Sequence, residues 1–147
     1  MEESGRYYDQ TKLGDTFSRT TTVTETHLVL GAGLIGDFNP LHVNEEFAKK
    51  TRYGSRILHG MMTSAIMGGN TGMYFFGTAI AYLEHDVRFK APVHVGDTLT
   101  CTWTITERVD KPHHGAGIVG MKGTCVNQQG VLVADADSKL LVAARPA

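Results

Sequence analysis

Between Leu58 and Phe76 the side chains Leu58, Met61, Met62, Ala65, Ile66, Met73 and Phe76 recur at the i, i+3, i+4 interval of a helix with one buried stripe. Beyond Gly77 that interval gives way to strand candidates at Ile80 to Phe89, Thr98 to Val109, Gly117 to Asn127 and Val131 to Val142, separated by turn formers. One long helix followed by a run of strands restricts the fold sharply. The turn Asn127-Gln128-Gln129-Gly130 and the segment from Asp110 to Gly115 both suit hairpin connections, so neighbouring strands are expected to be antiparallel. The layout is α+β, a β-rich sheet with one helix against it.

The first half is organised around a shorter stretch. Leu13 to Thr24 reads as a strand with one wet face, given its many threonines. After Thr24, a candidate N-cap, a short helix runs to about Gly36, and a second covers Asn44 to Thr51. These helices bracket Gly36-Asp37-Phe38-Asn39-Pro40-Leu41-His42, which sets a carboxylate and an imidazole five positions apart across a proline. Two readings of the pair are open from spacing alone. In one, which the spacing favours, Asp37 caps a turn and His42 is a satisfied core histidine. In the other, both side chains hold one water molecule, removing a proton from it and delivering another to a substrate.

The rest of the sequence removes several function classes. At 147 residues the chain is expected to be one domain throughout, residues 1–147. Charged residues make up 20% and net charge is −1, with the signs scattered, so no polybasic face points to nucleic acid or an anionic membrane. No apolar run approaches the roughly 20 residues that span a bilayer, and the polar N-terminus lacks the apolar core of a signal peptide. A soluble cytoplasmic protein with a small-molecule partner is expected. Cys101 and Cys125 are then expected as reduced, buried thiols. His113-His114 has no further ligands at metal-binding spacing, so no metal is assigned.

Gly31-Ala32-Gly33-Leu34-Ile35-Gly36 matches the G-x-G-x-x-G dinucleotide fingerprint, but Pro40 falls where the helix opened by those glycines would be propagating. No alternation of strands and helices follows it either. Close packing and a turn are the preferred reading of these glycines.

Taken together, Gly36 to His42 with Phe47-Ala48, Ile57-Leu58-His59-Gly60-Met61-Met62, Val87 to Val93 and Gly96-Asp97-Thr98-Leu99 resemble the MaoC-like (R)-specific enoyl-CoA hydratases. The resemblance extends roughly from Leu13 to Val142. It implies the hot-dog fold, in which an antiparallel sheet wraps a long central helix, and a homodimer or higher homo-oligomer with active sites near the interface. It also implies roles. Asp37 and His42 match the water-activating dyad, and the Gly60 backbone N–H matches the donor that polarises the thioester carbonyl. Asn39 and His59 fall on the substrate side, with His59 expected to form hydrogen bonds at the helix start. The implied reaction is reversible syn hydration of a 2-enoyl-CoA to an (R)-3-hydroxyacyl-CoA, needing no cofactor. Arg88 and Lys90 are weaker candidates for the coenzyme A phosphates.

The chain departs from the family pattern at Gly68-Gly69-Asn70-Thr71. Many members have a serine at the position of Gly68 and an apolar residue at that of Thr71, where the helix lines the acyl pocket. Two helix-interior glycines cost about 1 kcal/mol each relative to alanine. A deeper pocket for a longer or branched acyl chain, with Thr71 adding polarity, is the expected compensation. Two other functions on the same fold stay in view, an acyl-CoA thioesterase and a non-catalytic acyl-thioester-binding subunit.

Overall fold

The computed structural model describes residues 5–146. Its order is β1 (Thr16–Thr22), α1 (Glu25–Ile35), α2 (Pro40–Val43), α3 (Glu45–Ala48), α4 (Gly60–Tyr74), β2 (Ala79–Phe89), β3 (Thr98–Lys111), β4 (Ala116–Val126) and β5 (Leu132–Ala143). The strands form one antiparallel sheet in the order β1-β3-β4-β5-β2. This is the α+β hot-dog arrangement expected from the sequence, and no helix among the described residues is long and apolar enough to cross a membrane.

Strand β3 shows how sequence selects a face. Leu99, Cys101, Trp103 and Ile105 are buried at every second position. Between them Thr98, Thr100, Thr102 and Thr104 meet the hydroxyls of Thr22, Thr20, Ser18 and Thr16 on β1, at 2.9, 3.1, 2.9 and 3.3 Å. The threonine-rich first strand therefore has its wet face, as the composition implied.

Helix α4 lies against the apolar face of the sheet and buries Thr63, Met67, Asn70 and Thr71. The indole N–H of Trp103 donates to the Met67 carbonyl at 3.2 Å, so a strand side chain takes part in the middle of the helix. Gly123, directly opposite Trp103 on β4, leaves room for the ring, which a Cβ there would meet at 2.6 Å. Cys101 and Cys125 are also directly opposed, free and fully buried, with their sulfurs 3.3 Å apart. Their hydrogen bond and burial push the Cys125 thiol far up, while the same bond lowers Cys101.

Two expectations change in detail. Strand β2 does not pair with β3, its sequence neighbour, but crosses to the far edge and pairs with β5. Strands β3, β4 and β5 are joined by tight hairpins and zip locally, which leaves the outer edge of β5 for β2. The Asn44 to Thr51 helix shrinks to α3, capped by the Asn44 side chain, whose Oδ1 accepts from Phe47 N–H at 3.0 Å. Pro40, which stops the helix of the preceding glycines from propagating, itself starts the one-turn helix α2, with Asn39 as its cap.

Gly68 and Thr71 do not sit as the pocket hypothesis required. Thr71 is fully buried and its hydroxyl donates to the Gly68 carbonyl at 2.7 Å, so it offers no polar group to a ligand. A Cβ on Gly68 would meet the Tyr82 hydroxyl and His85 Nε2 at 3.8 Å, ordinary contact with a polar pair rather than room for an apolar chain. That spacing admits one methyl group without displacement. Gly68→Ala is expected to raise stability by about 0.5 to 1 kcal/mol, read as a higher urea midpoint with an unchanged denaturant slope.

Candidate active site

The N-terminal end of α4 is held by a lobe built from α1, α2 and α3. Arg56 joins its parts, donating to Glu25 at 2.7 and 3.0 Å and to Glu45 at 2.9 Å. The guanidinium holds the Glu45 carboxyl below the usual carboxylate range. Helix α1 begins with Thr24 as its cap and stops at Gly36, whose φ of 77° is left-handed and releases the chain into the Asp37 loop. Gly31 and Gly33 lie inside this helix and form no phosphate loop.

Ile57 fastens that loop to the connection between β2 and β3. Its N–H donates to the Leu41 carbonyl at 3.1 Å, its carbonyl accepts from His42 Nδ1 at 2.7 Å, and it bridges to His94. The His42 bond has a chemical consequence. With its proton on Nδ1, the imidazole turns the lone pair of Nε2 toward Asp37, whose Oδ2 lies 3.6 Å away. That separation is too long for a direct hydrogen bond and short enough for one water to touch both atoms. The Asp37 side chain is 46% exposed and that of His42 12%, so the carboxylate is open to solvent and the imidazole is largely enclosed. The other Asp37 oxygen accepts from Asn39 N–H at 3.1 Å, which fixes the carboxylate plane.

His59 lies beneath this pair. Its ring stacks on that of His42 at 3.8 Å between centroids, and its Nε2 donates to the Asp37 backbone carbonyl at 2.9 Å. Only 2% of the residue is exposed, so it is the floor of the site rather than a group facing substrate. Nitrogen atoms of His42 and His59 and an Asp37 carboxylate oxygen come close enough to hold a metal ion. The donor set fits poorly, because His59 Nε2 is committed to a carbonyl and its Nδ1 is buried without a partner.

Gly60, the first residue of α4, lines a cleft of about 320 Å³ together with Ile57, whose carbonyl holds His42. Its N–H has no protein acceptor among the described residues, as expected for the first turn of a helix. The Phe89 ring covers the glycine so closely that a Cβ would lie 3.2 Å from it.

Asp37, Asn39, His42, His59 and Gly60 are thus gathered at one place, while Gly68 lies two turns along the helix and Thr71 is sealed inside the core. Arg88 is held by Asp135, by Asp137 at 2.8 Å and by Asp86 at 3.0 Å, so it has little left to offer a phosphate. The roles of the Ile57 carbonyl and the Phe89 ring were not visible in sequence, because a backbone acceptor carries no sequence signature and the ring's position depends on distant packing, whereas the close packing read for Gly31 is what the structure has.

The family described as a MaoC like domain matches residues 10–126. The chain belongs to this family. An (R)-specific enoyl-CoA hydratase of Rhodospirillum rubrum is 34% identical over 95% of this chain and 93% of its own length. A mitochondrial 3-hydroxyacyl-[acyl-carrier-protein] dehydratase of Arabidopsis thaliana is 30% identical over 60% of the chain and 52% of its length. The solved R-hydratase PhaJ1 of Pseudomonas aeruginosa superimposes with a TM-score of 0.85 at 28% identity, over 95% of this chain and 86% of that one. At the level of the family, this MaoC-like chain is a hydratase/dehydratase enzyme.

In this MaoC-like site one bare glycine keeps the floor in place. A Cβ on Gly31 would lie 2.8 Å from the Met62 side chain and 3.2 Å from His59 Nδ1, so α1 approaches α4 only without it. Gly31→Ala is expected to destabilise the protein by about 1 to 3 kcal/mol in chemical denaturation. By displacing His59 beneath the dyad, it should also cut kcat by one to two orders of magnitude.

Proposed function

We propose that the chain catalyses reversible syn hydration of a 2-enoyl-CoA to an (R)-3-hydroxyacyl-CoA. The observation that carries this reading is the gap between His42 Nε2 and Asp37 Oδ2, with an unpaired helix N-terminal N–H beside it. A water in the gap would give one hydrogen bond to the Nε2 lone pair and the other to the carboxylate. His42 takes a proton as the water oxygen bonds to C3, and the electron pair of the double bond moves onto the thioester oxygen as an enolate. The Gly60 N–H and the positive end of α4 would stabilise that oxygen. The imidazolium formed, stabilised by Asp37, then gives its proton to C2. One base working from one face delivers OH and H to the same face of the alkene, which accounts for syn addition. No step requires a metal or redox cofactor.

The setting proposed for this chemistry is a cytoplasmic homodimer. Edge strand β2 leaves Ile80, Tyr82 and Leu83 about half exposed, and Met61 and Met73 of α4 are likewise uncovered, an apolar area suited to a second copy.

Asp37→Asn and His42→Ala should each lower kcat by roughly 10²- to 10⁴-fold while the thermal transition is retained. Activity is read from the ultraviolet absorbance lost when the conjugated enoyl thioester is hydrated. Near-normal turnover in both variants would remove the dyad from the mechanism, and release of free thiol from a saturated acyl-CoA would indicate a thioesterase instead.

Gly60 permits a backbone test. His59 has φ −57° and ψ 135°, a conformation compatible with a following proline, and proline is favoured at the first helical position. Gly60→Pro deletes the N–H, and Gly60→Ala keeps it while crowding Phe89 in a comparable way. The proline variant should lose at least about 100-fold more kcat than the alanine variant, and equal losses would assign the effect to crowding.

A further inference from the structure

The cleft that exposes Gly60 is graded in polarity. Its inner wall includes Leu58, Val93 and Val133, all nearly fully buried, and the Phe89 ring leans over it. Arg52, Tyr53 and Lys90 also line it, Arg52 and Lys90 being exposed. We propose that this cleft seats the carrier arm of the thioester, with Arg52 and Lys90 binding the nucleotide phosphates of free coenzyme A. The assignment rests on the hydratase reading, because it takes the thioester carbonyl to lie at Gly60.

Charge pairing separates these two cations from their neighbours. Arg52 has no carboxylate partner among the described residues. Its guanidinium lies 5.2 Å from the centroid of the Tyr53 ring, with Nη2 donating to the Tyr53 hydroxyl at 3.2 Å. The remaining N–H groups of its fork are available for a phosphate, which guanidinium binds in two-pronged fashion. Lys90 reaches a single oxygen of Asp135 at 3.5 Å, and the other oxygen of that carboxylate is occupied by Arg88. A phosphate would compete for Lys90 against one long contact to a shared carboxylate. Arg88, three times paired, has no such freedom.

Tyr53 also ties the cleft to the dyad. Its carbonyl accepts from His94 Nε2 at 3.2 Å, and His94 is the bridge partner of Ile57, whose carbonyl holds His42. An amphiphilic thioester fits the gradient, with its carbonyl at Gly60, its apolar arm along the inner wall and its phosphates at the cations. Relatives named for coenzyme A and for acyl carrier protein both occur, so the carrier is a real choice for this fold.

The test compares crotonyl-CoA with the crotonyl thioester of N-acetylcysteamine, which lacks the nucleotide, in wild type, Arg52→Ala, Arg52→Lys and Lys90→Ala. Each alanine variant should raise KM for crotonyl-CoA roughly tenfold with little change in kcat, and lower the preference for coenzyme A over the truncated thioester by the same factor. Arg52→Lys should recover part of the loss, and added salt should erode the wild-type preference. Parallel losses on both thioesters would mean a structural role and overturn the assignment. So would unaltered kinetics in the variants, or a wild type that prefers an acyl-carrier-protein thioester. Calorimetric titration with coenzyme A separates this proposal from the hydratase reading, since it needs no turnover. Binding that weakens in Arg52→Ala, in a protein that hydrates nothing, would overturn the hydratase reading alone. Hydration with coenzyme A affinity indifferent to Arg52 and Lys90 would overturn this one alone, and a wild type that neither binds nor hydrates would overturn both.

Discussion

The packing of α4 across the sheet is the constraint on which the rest of the molecule depends. Met67, Thr71 and Trp103 are sealed between the two layers, and the indole hydrogen bond to the Met67 carbonyl fixes how deep the helix sits. Its first residue then has only one place to be, beside Phe89 at the mouth of a cleft. The lobe carrying Asp37 and His42 is docked onto that fixed point through Ile57, His59 and Gly31. The dyad comes from a loop and the one-turn helix after it, both poorly buried, while the precision of its placement comes from the core.

His59 illustrates how a residue can matter to a reaction without taking part in it. Buried under His42 and bonded to the Asp37 backbone, it couples the two halves of the dyad to the start of the helix. Its Nδ1 is a buried polar atom without a protein partner among the described residues. A ring of this shape is wanted there because it offers a flat surface for stacking and one donor at its far end.

Much of this was legible in the amino-acid sequence, and what was not has physical causes. The alternation in β3 reports burial directly, so the sheet's inner face could be read, whereas the helical period before Phe76 located α4 but not its buried face: Met61, Ala65, Met73 and Phe76 are exposed, and Thr63, Met67, Asn70 and Thr71 are the buried positions. The Asp37 to His42 segment was legible only as a resemblance, since its spacing alone describes an Asx turn. Strand order was hidden because β2 pairs with a strand more than forty residues away, a choice made by which edge stays free. The misjudged acyl pocket has a similar origin. Gly68 was conspicuous as a missing side chain, but what fills the space opposite a glycine is decided by other strands, here by Tyr82 and His85.

The two margins of the sheet are unlike each other. Along β1 the exposed side chains are threonine and serine hydroxyls and Arg19, most of the hydroxyls bonded across to β3, whereas the first half of β2 presents Ile80, Tyr82 and Leu83 before the charged Glu84, Asp86 and Arg88. An antiparallel sheet with one hydrophilic margin and one that carries an apolar stretch can lengthen once and then stop. Two copies meeting edge to edge at β2 around a two-fold axis would cover both apolar stretches and end in two hydrophilic margins. The same threonines that give β1 its strand propensity would thus act as chain terminators for the sheet, favouring a closed pair over an open fibre.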